Sequence, residues 1–182
     1  SNYQWKTGTV RRRFAAHRAD PSLVSTYAYR PFDTRFIYWH PDIVFNMRGG
    51  KLDQFRSTGS PVALLFSRTT TKDEYTNFFV TRSIPDMQVL YNTKVAALRI
   101  SDPRGSSLLR DGDASGGNLK ATFTKALGQA CRGPETTGTD PVVTPDEIFA
   151  YIYAICYSRG YRHRYADFLR IDYPRLPLPG GE

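Results

Sequence analysis

A chain of 182 residues, 40% of them hydrophobic, is long enough to bury one sizeable core, and 25 Lys+Arg against 17 Asp+Glu give it a formal charge of +8. Two cysteines, Cys131 and Cys156, are too few for a disulfide framework, and the longest apolar run, Ile148 to Tyr157, is too short to span a bilayer. A basic domain with 12 Tyr and 11 Phe takes a polyanion, nucleic acid first, as its default partner.

No secretory signal is visible, which fits a cytoplasmic protein. The Ser1-Asn2 start without methionine reads as a remnant of tag removal, so the chain is taken as a piece of a longer one. Residues 1–58 hold ten basic and four acidic side chains, whereas residues 145–182 hold five of each. The positive excess therefore lies early in the chain, where Arg11-Arg12-Arg13 is a solvated charge run or, alternatively, a phosphate clamp.

The first two thirds predict short strands and loops, with prolines at 21, 31, 41, 61, 85 and 103 arguing against long helices. Strands are expected at 36–39, 62–66 and 78–81, with another within 94–100, and Pro85-Asp86 as a turn after the third. In "YRPFDTRFIYW" (29–39), Pro31 and Asp33 favour a tight entry into the strand near Phe36. Asp33 is close enough in sequence to pair with Arg30 or Arg35, and an internal ion pair is favoured because an unpaired arginine among aromatics is costly. These three charges are assigned to the scaffold.

Two later segments carry candidate ligand contacts. Asn46, Arg48, Lys51 and Arg56 surround Gly49-Gly50, where a small-residue turn lets backbone approach a phosphate. In "SRTTTKDEYTN" (67–77), Arg68, Thr70, Lys72, Tyr75 and Asn77 lie between two expected strands. There they are either base-reading side chains or an ordinary polar hairpin loop.

The loops at 111–117 and 132–143 follow. Between them, Leu119, Phe123 and Leu127 predict a helix by their four-residue spacing. The 111–117 loop lacks the Lys-Ser/Thr of a phosphate-binding loop, and its aspartates repel phosphate. Thr144, Pro145 and Glu147 predict a capped helix start, and Ile148, Phe149, Ile152, Ile155 and Cys156 its wide apolar face. Gly160 is expected to interrupt that helix, and a second helix follows, with Tyr161, Tyr165, Phe168 and Leu169 on one side. Tyr157, Tyr161 and Tyr165 are expected to pack with their hydroxyls at the rim, and the prolines from 174 onward leave an extended tail.

No pair among His17, His40, His163, Cys131 and Cys156 has metal-ligand spacing. No nucleophile elbow or activated cysteine setting appears either, so no catalytic residue is expected. The expected fold class is α+β: short, mostly antiparallel strands and loops over 1–143, with a helical closing segment over 144–182 packed on them as one structural domain.

Two of these segments, "YRPFDTRFIYW" and "TPDEIFAYIYAICYSRGYRHRYADFLRIDYPRLPLP" (144–179), resemble the C-terminal target-recognition region of type ISP restriction–modification enzymes and related adenine methyltransferases. "FFVTRSIPDM" (78–87) and "GNLKATFTKALG" (117–128) are similar to further elements of that region. Residues 88–116 match poorly, and the tail has Pro-Arg-Leu-Pro where the family has a Pro-Arg-Ile-Pro-like run.

The resemblance implies a parent with an ATP-dependent translocase, a nuclease and an SAM-dependent adenine methyltransferase, hence SAM, ATP and Mg as the parent's cofactors. No Walker lysine loop, Asn-Pro-Pro-Tyr or SAM-binding glycine motif occurs here, so the region itself is expected to be non-catalytic and without a cofactor. Its implied role is to read a short asymmetric sequence in double-stranded DNA and to place the target adenine. Partners are then duplex DNA and the methyltransferase and translocase domains of the same chain. The alternative is a structural module that docks on those domains and reads no bases.

Overall fold

The computed structural model describes residues 6–45, 47, 52–56, 62–68, 75–99, 119–131 and 143–179. Helix α1 (Thr7–Ala16) comes first, then the hairpin of β1 (Val24–Arg30) and β2 (Asp33–Tyr38). Next are a 3-10 turn at Asp53–Arg56 and strands β3 (Ala63–Phe66), β4 (Phe78–Thr81), β5 (Ile84–Pro85) and β6 (Lys94–Ala97). Helices α2 (Ala121–Ala130), α3 (Pro145–Tyr157), α4 (Arg159–Arg164) and α5 (Ala166–Ile171) complete an α+β arrangement.

The strands form two three-stranded sheets, ordered β2-β1-β5 and β4-β3-β6. Every pairing is antiparallel except β1 with β5, where Tyr27 faces Ile84. Strand β3 is central and buried on both faces, which is why "VALLF" is apolar without alternation. Successive side chains point oppositely. Ala63 and Leu65 thus join clusters with Trp39, Phe55 and Ile84, and with Ala28, Val89 and Leu90, on the side of the first sheet. Leu64 joins Tyr75, Phe78, Cys156, Tyr161 and Leu169 on the helical side. The closing helices therefore share a core cluster with the second sheet. Burial pushes the Cys156 thiol up to about 12, so it stays protonated and inert.

Helix α3 starts as its sequence dictates. The Thr144 hydroxyl accepts from the Glu147 N–H at 3.3 Å, and the Glu147 carboxylate accepts from the Thr144 N–H at 2.8 Å. It ends at Ser158 rather than Gly160. Ser158 leaves the helical basin (ψ 123°), and its Oγ accepts from the Tyr161 N–H to cap α4, with Gly160 inside that helix. The expected second helix is itself divided at Tyr165.

Tyr157 and Tyr161 pack with their hydroxyls bonded at the rim, as does Tyr151. Tyr157 donates to the Phe78 carbonyl at 2.7 Å, while Tyr151 and Tyr161 donate to the Pro177 and Arg175 carbonyls at 2.6 Å, strapping the extended tail down.

Three elements differ from expectation. Helix α1 occupies a stretch for which no element was expected, because its apolar positions Val10 and Phe14 are too sparse to declare a period. Strand β1, with Ser, Thr and Ala among its residues, was not expected. Pro85 closes the short strand β5, where it needs no ladder donor. The turn starts one residue later, at Asp86, whose Oδ1 accepts from the Gln88 N–H at 2.6 Å. The loop at 111–117 and residues 132–142 lie outside the described residues.

Candidate nucleic-acid interface

The polar segment 67–77 connects β3 to β4, and what the structure describes is its base. The Ser67 N–H donates to the Asn77 carbonyl at 3.4 Å, continuing the hairpin ladder by one step. Tyr75 is 4% exposed within the cluster shared with α3, α4 and α5, and its hydroxyl donates to the Ser67 carbonyl at 3.3 Å. Burial holds the Tyr75 phenol well above its ordinary range, so it remains a neutral donor. Across the loop mouth, Arg68 Nε lies 3.3 Å from Asp172 Oδ1 at the end of α5, and both side chains remain solvent-accessible. The Asp172 carboxyl sits below the usual range, chiefly because it accepts from the Tyr173 N–H and secondarily because of Arg68. The loop therefore leaves a base fixed by core aromatic packing and a backbone bond, with a solvent-exposed ion pair of small energetic weight beside them. Thr70 and Lys72 lie outside the described residues.

The second candidate segment follows β2. Trp39 Nε1 donates to Asp53 Oδ1 at 2.7 Å, and Val44, Met47 and Leu52 pack on the cluster of Trp39 and Phe55, so these described residues close back onto the first sheet. Arg56 is exposed and donates through NH2 to the Ser22 carbonyl at 2.8 Å. Asn46, Arg48 and Lys51 are outside the described residues. Arg56 and Arg68 are not neighbours. Phe55 packs with Ala63 at the start of β3, Arg68 follows Phe66 at its end, and the strand lies between them.

In the β1–β2 hairpin, Arg35 pairs with Asp33 through Nε at 3.1 Å and NH2 at 2.8 Å. Arg30 turns instead to Asp86 at 3.6 Å and to the Tyr29 carbonyl at 2.6 Å. Both guanidinium carbons lie 4.0 Å from the Tyr29 ring centroid, so each arginine combines an ion pair with an aromatic stack. The Arg35 and Asp33 side chains are 58% and 39% exposed, so this is a surface pair rather than an internal one, and its energetic weight is small. Asp86 also accepts from the Tyr27 hydroxyl, tying the hairpin to β5. Phe32 forms the turn at φ 63°, in the left-handed region, 94% exposed and edge-on to Phe79 at 5.2 Å.

Sequence reasoning missed the carboxylates that hold these arginines. Asp86 and Asp172 lie 56 and 104 positions from Arg30 and Arg68, so no local spacing announces either pair.

A family model described as the type ISP C-terminal specificity domain matches residues 1–181. No curated protein matches the chain. Among solved structures, the chain is similar to part of a DrdV–DNA complex determined by cryo-electron microscopy (TM-score 0.66, 18% identity, covering 97% of this chain and 18% of that one). It is also similar to part of the ATP-dependent type ISP restriction–modification enzyme LlaBIII bound to DNA (TM-score 0.63, 15% identity, 96% and 11%). A nuclease-deletion mutant of the type ISP enzyme LlaGI with a DNA substrate mimic is a third (TM-score 0.51, 21% identity, 88% and 12%). The chain thus spans less than a fifth of each of these proteins.

Proposed function

The chain belongs to the type ISP C-terminal specificity domain family, and from this we propose that it recognises a short sequence in double-stranded DNA for a restriction–modification enzyme. The observation that carries the reading is the polar 67–77 loop, mounted on a base fixed by the buried Tyr75 and the Ser67–Asn77 backbone bond, with Arg68 exposed at its mouth. Specific readout needs side chains presented to base edges from a support that does not yield. Arg68, Thr70, Lys72 and Asn77 supply the donors and acceptors, and Tyr75 holds the loop from beneath. Arg56, with Asn46, Arg48 and Lys51, grips phosphates. Arg30, Asp33 and Arg35 keep the hairpin in shape.

The solved relatives named above are DNA complexes of much longer chains. By that analogy the domain acts beside methyltransferase and translocase domains of its own polypeptide, in the cytoplasm. Those domains use SAM, ATP and Mg, and base flipping takes place in the methyltransferase. No described helix is long and apolar enough to cross a membrane.

A salt titration tests the reading. Affinity for duplex DNA should fall steeply and linearly in log–log form as salt rises, because phosphate contacts release counterions. Absence of salt-dependent DNA binding by the intact protein would contradict it.

A further inference from the structure

We propose that α1 is a second DNA-contacting element, gripping the phosphate backbone beside Arg56. The inference rests on the DNA-recognition reading and extends it to a helix outside both candidate loops.

Lys6, Arg11, Arg12, Arg13 and Arg18 fall within 13 residues, and no acidic side chain occurs from Lys6 to Ala19. A ten-residue helix with Gly8 in its first turn and no buried residue is not stable alone. It is held by tertiary contacts on one side. The Phe14 ring meets Tyr38 edge-on at 5.5 Å, and His17 Nε2 shares a 2.9 Å hydrogen bond with the Tyr38 hydroxyl. His17 also lies 4.4 Å from the His40 ring, and Arg13 lies 3.7 Å from Asp42.

At about 100° per residue, Val10, Phe14, His17 and Arg13 share that docked side, which leaves Arg11 and Arg12 on the outward one. Arg11 and Arg12 are exposed, and no carboxylate among the described residues pairs with them or with Arg18. The helix is therefore a fixed mount for unneutralised cations rather than a loose basic tail.

Its position links it to the predicted phosphate-gripping segment. The Asp20 N–H donates to the same Tyr38 hydroxyl at 3.0 Å, and the Asp20 carboxylate, which accepts from Ser22, feels both His17 and Arg56. Arg56 itself is bonded to Ser22. Helix α1 and Arg56 thus flank one turn, Asp20–Ser22, at the end of the hairpin where Trp39 meets Asp53 and Phe55. This places much of the positive excess of the first third of the chain in one region. Lys6, Arg11, Arg12, Arg13, Arg18 and Arg56 outnumber the region's Asp20, Asp42 and Asp53, and such a net cationic surface matches the dense charge of duplex DNA.

The test compares salt titrations of the intact protein on a random-sequence duplex. Arg11→Gln/Arg12→Gln should reduce the slope of log affinity against log salt by about 1.8. Over a fourfold rise in salt the wild type then loses roughly tenfold more affinity than the variant. Glutamine suits an exposed helical position, so the fold is spared. A control with equal charge loss, Lys125→Gln/Arg159→Gln, should leave the slope near wild type. Equal slopes for all three proteins, or equal reductions in both variants, would overturn the role of α1 while leaving DNA recognition standing. A wild type with no salt-dependent binding would instead overturn the recognition reading itself, and this inference with it.

Discussion

Leu65→Ala is expected to lower the free energy of unfolding by about 2–5 kcal/mol, read as a shift of the denaturant midpoint at unchanged slope. Leu65 has no exposed surface and sits in the central strand, paired with Phe79 on one side and Val95 on the other. It packs with Ala28, Val89 and Leu90, so it joins the two sheets. Truncation removes apolar burial and leaves a cavity that strands fixed on both flanks cannot close. A loss well below 1 kcal/mol would mean that the sheets do not meet at Leu65.

The second large effect concerns Arg68 and Lys72. Replacing both with alanine in the intact protein should abolish preference for the recognised site or redirect it. Each lost base contact costs about 1–3 kcal/mol of discrimination, while binding to unrelated duplex changes far less. If the two side chains met only phosphates, affinity would drop uniformly for every sequence and the salt slope would shrink. Unchanged site choice would remove the loop from the mechanism.

The Arg68–Asp172 pair also carries a pH expectation. The folded Asp172 carboxyl sits below its unfolded value, so its contribution is complete above the unfolded value and is lost only as pH falls through the folded one. Site discrimination should therefore be flat across neutral pH and decline only in acid, which binding isotherms at several pH values can check.

Much of the architecture is written locally. The Thr144–Glu147 capping box, the apolar run of β3 and the aromatic run of β4 each declare their element within a few residues. What is not local is not legible. The helix break needs a residue that can both leave the helix and cap the next one. Ser158 does this through its hydroxyl, while the glycine two positions on draws attention for its flexibility alone.

The same holds at the site. The polar stretch 67–77 is visible as a loop between strands, yet Tyr75 belongs to the core, because its ring closes a cluster built from residues 64 to 169. The ion pairs of arginines are least legible where the partner is remote. Arg13 depends on Asp42, Arg30 on Asp86 and Arg68 on Asp172, pairs that only the folded chain defines.

The most direct test of sequence-specific recognition is selection by the intact protein from a pool of random duplexes at moderate salt, followed by sequencing of the retained DNA. Recognition by this domain predicts enrichment of one short asymmetric sequence, lost or changed in the Arg68→Ala/Lys72→Ala variant. A retained pool as random as the input, or the same enriched sequence from both proteins, would contradict it.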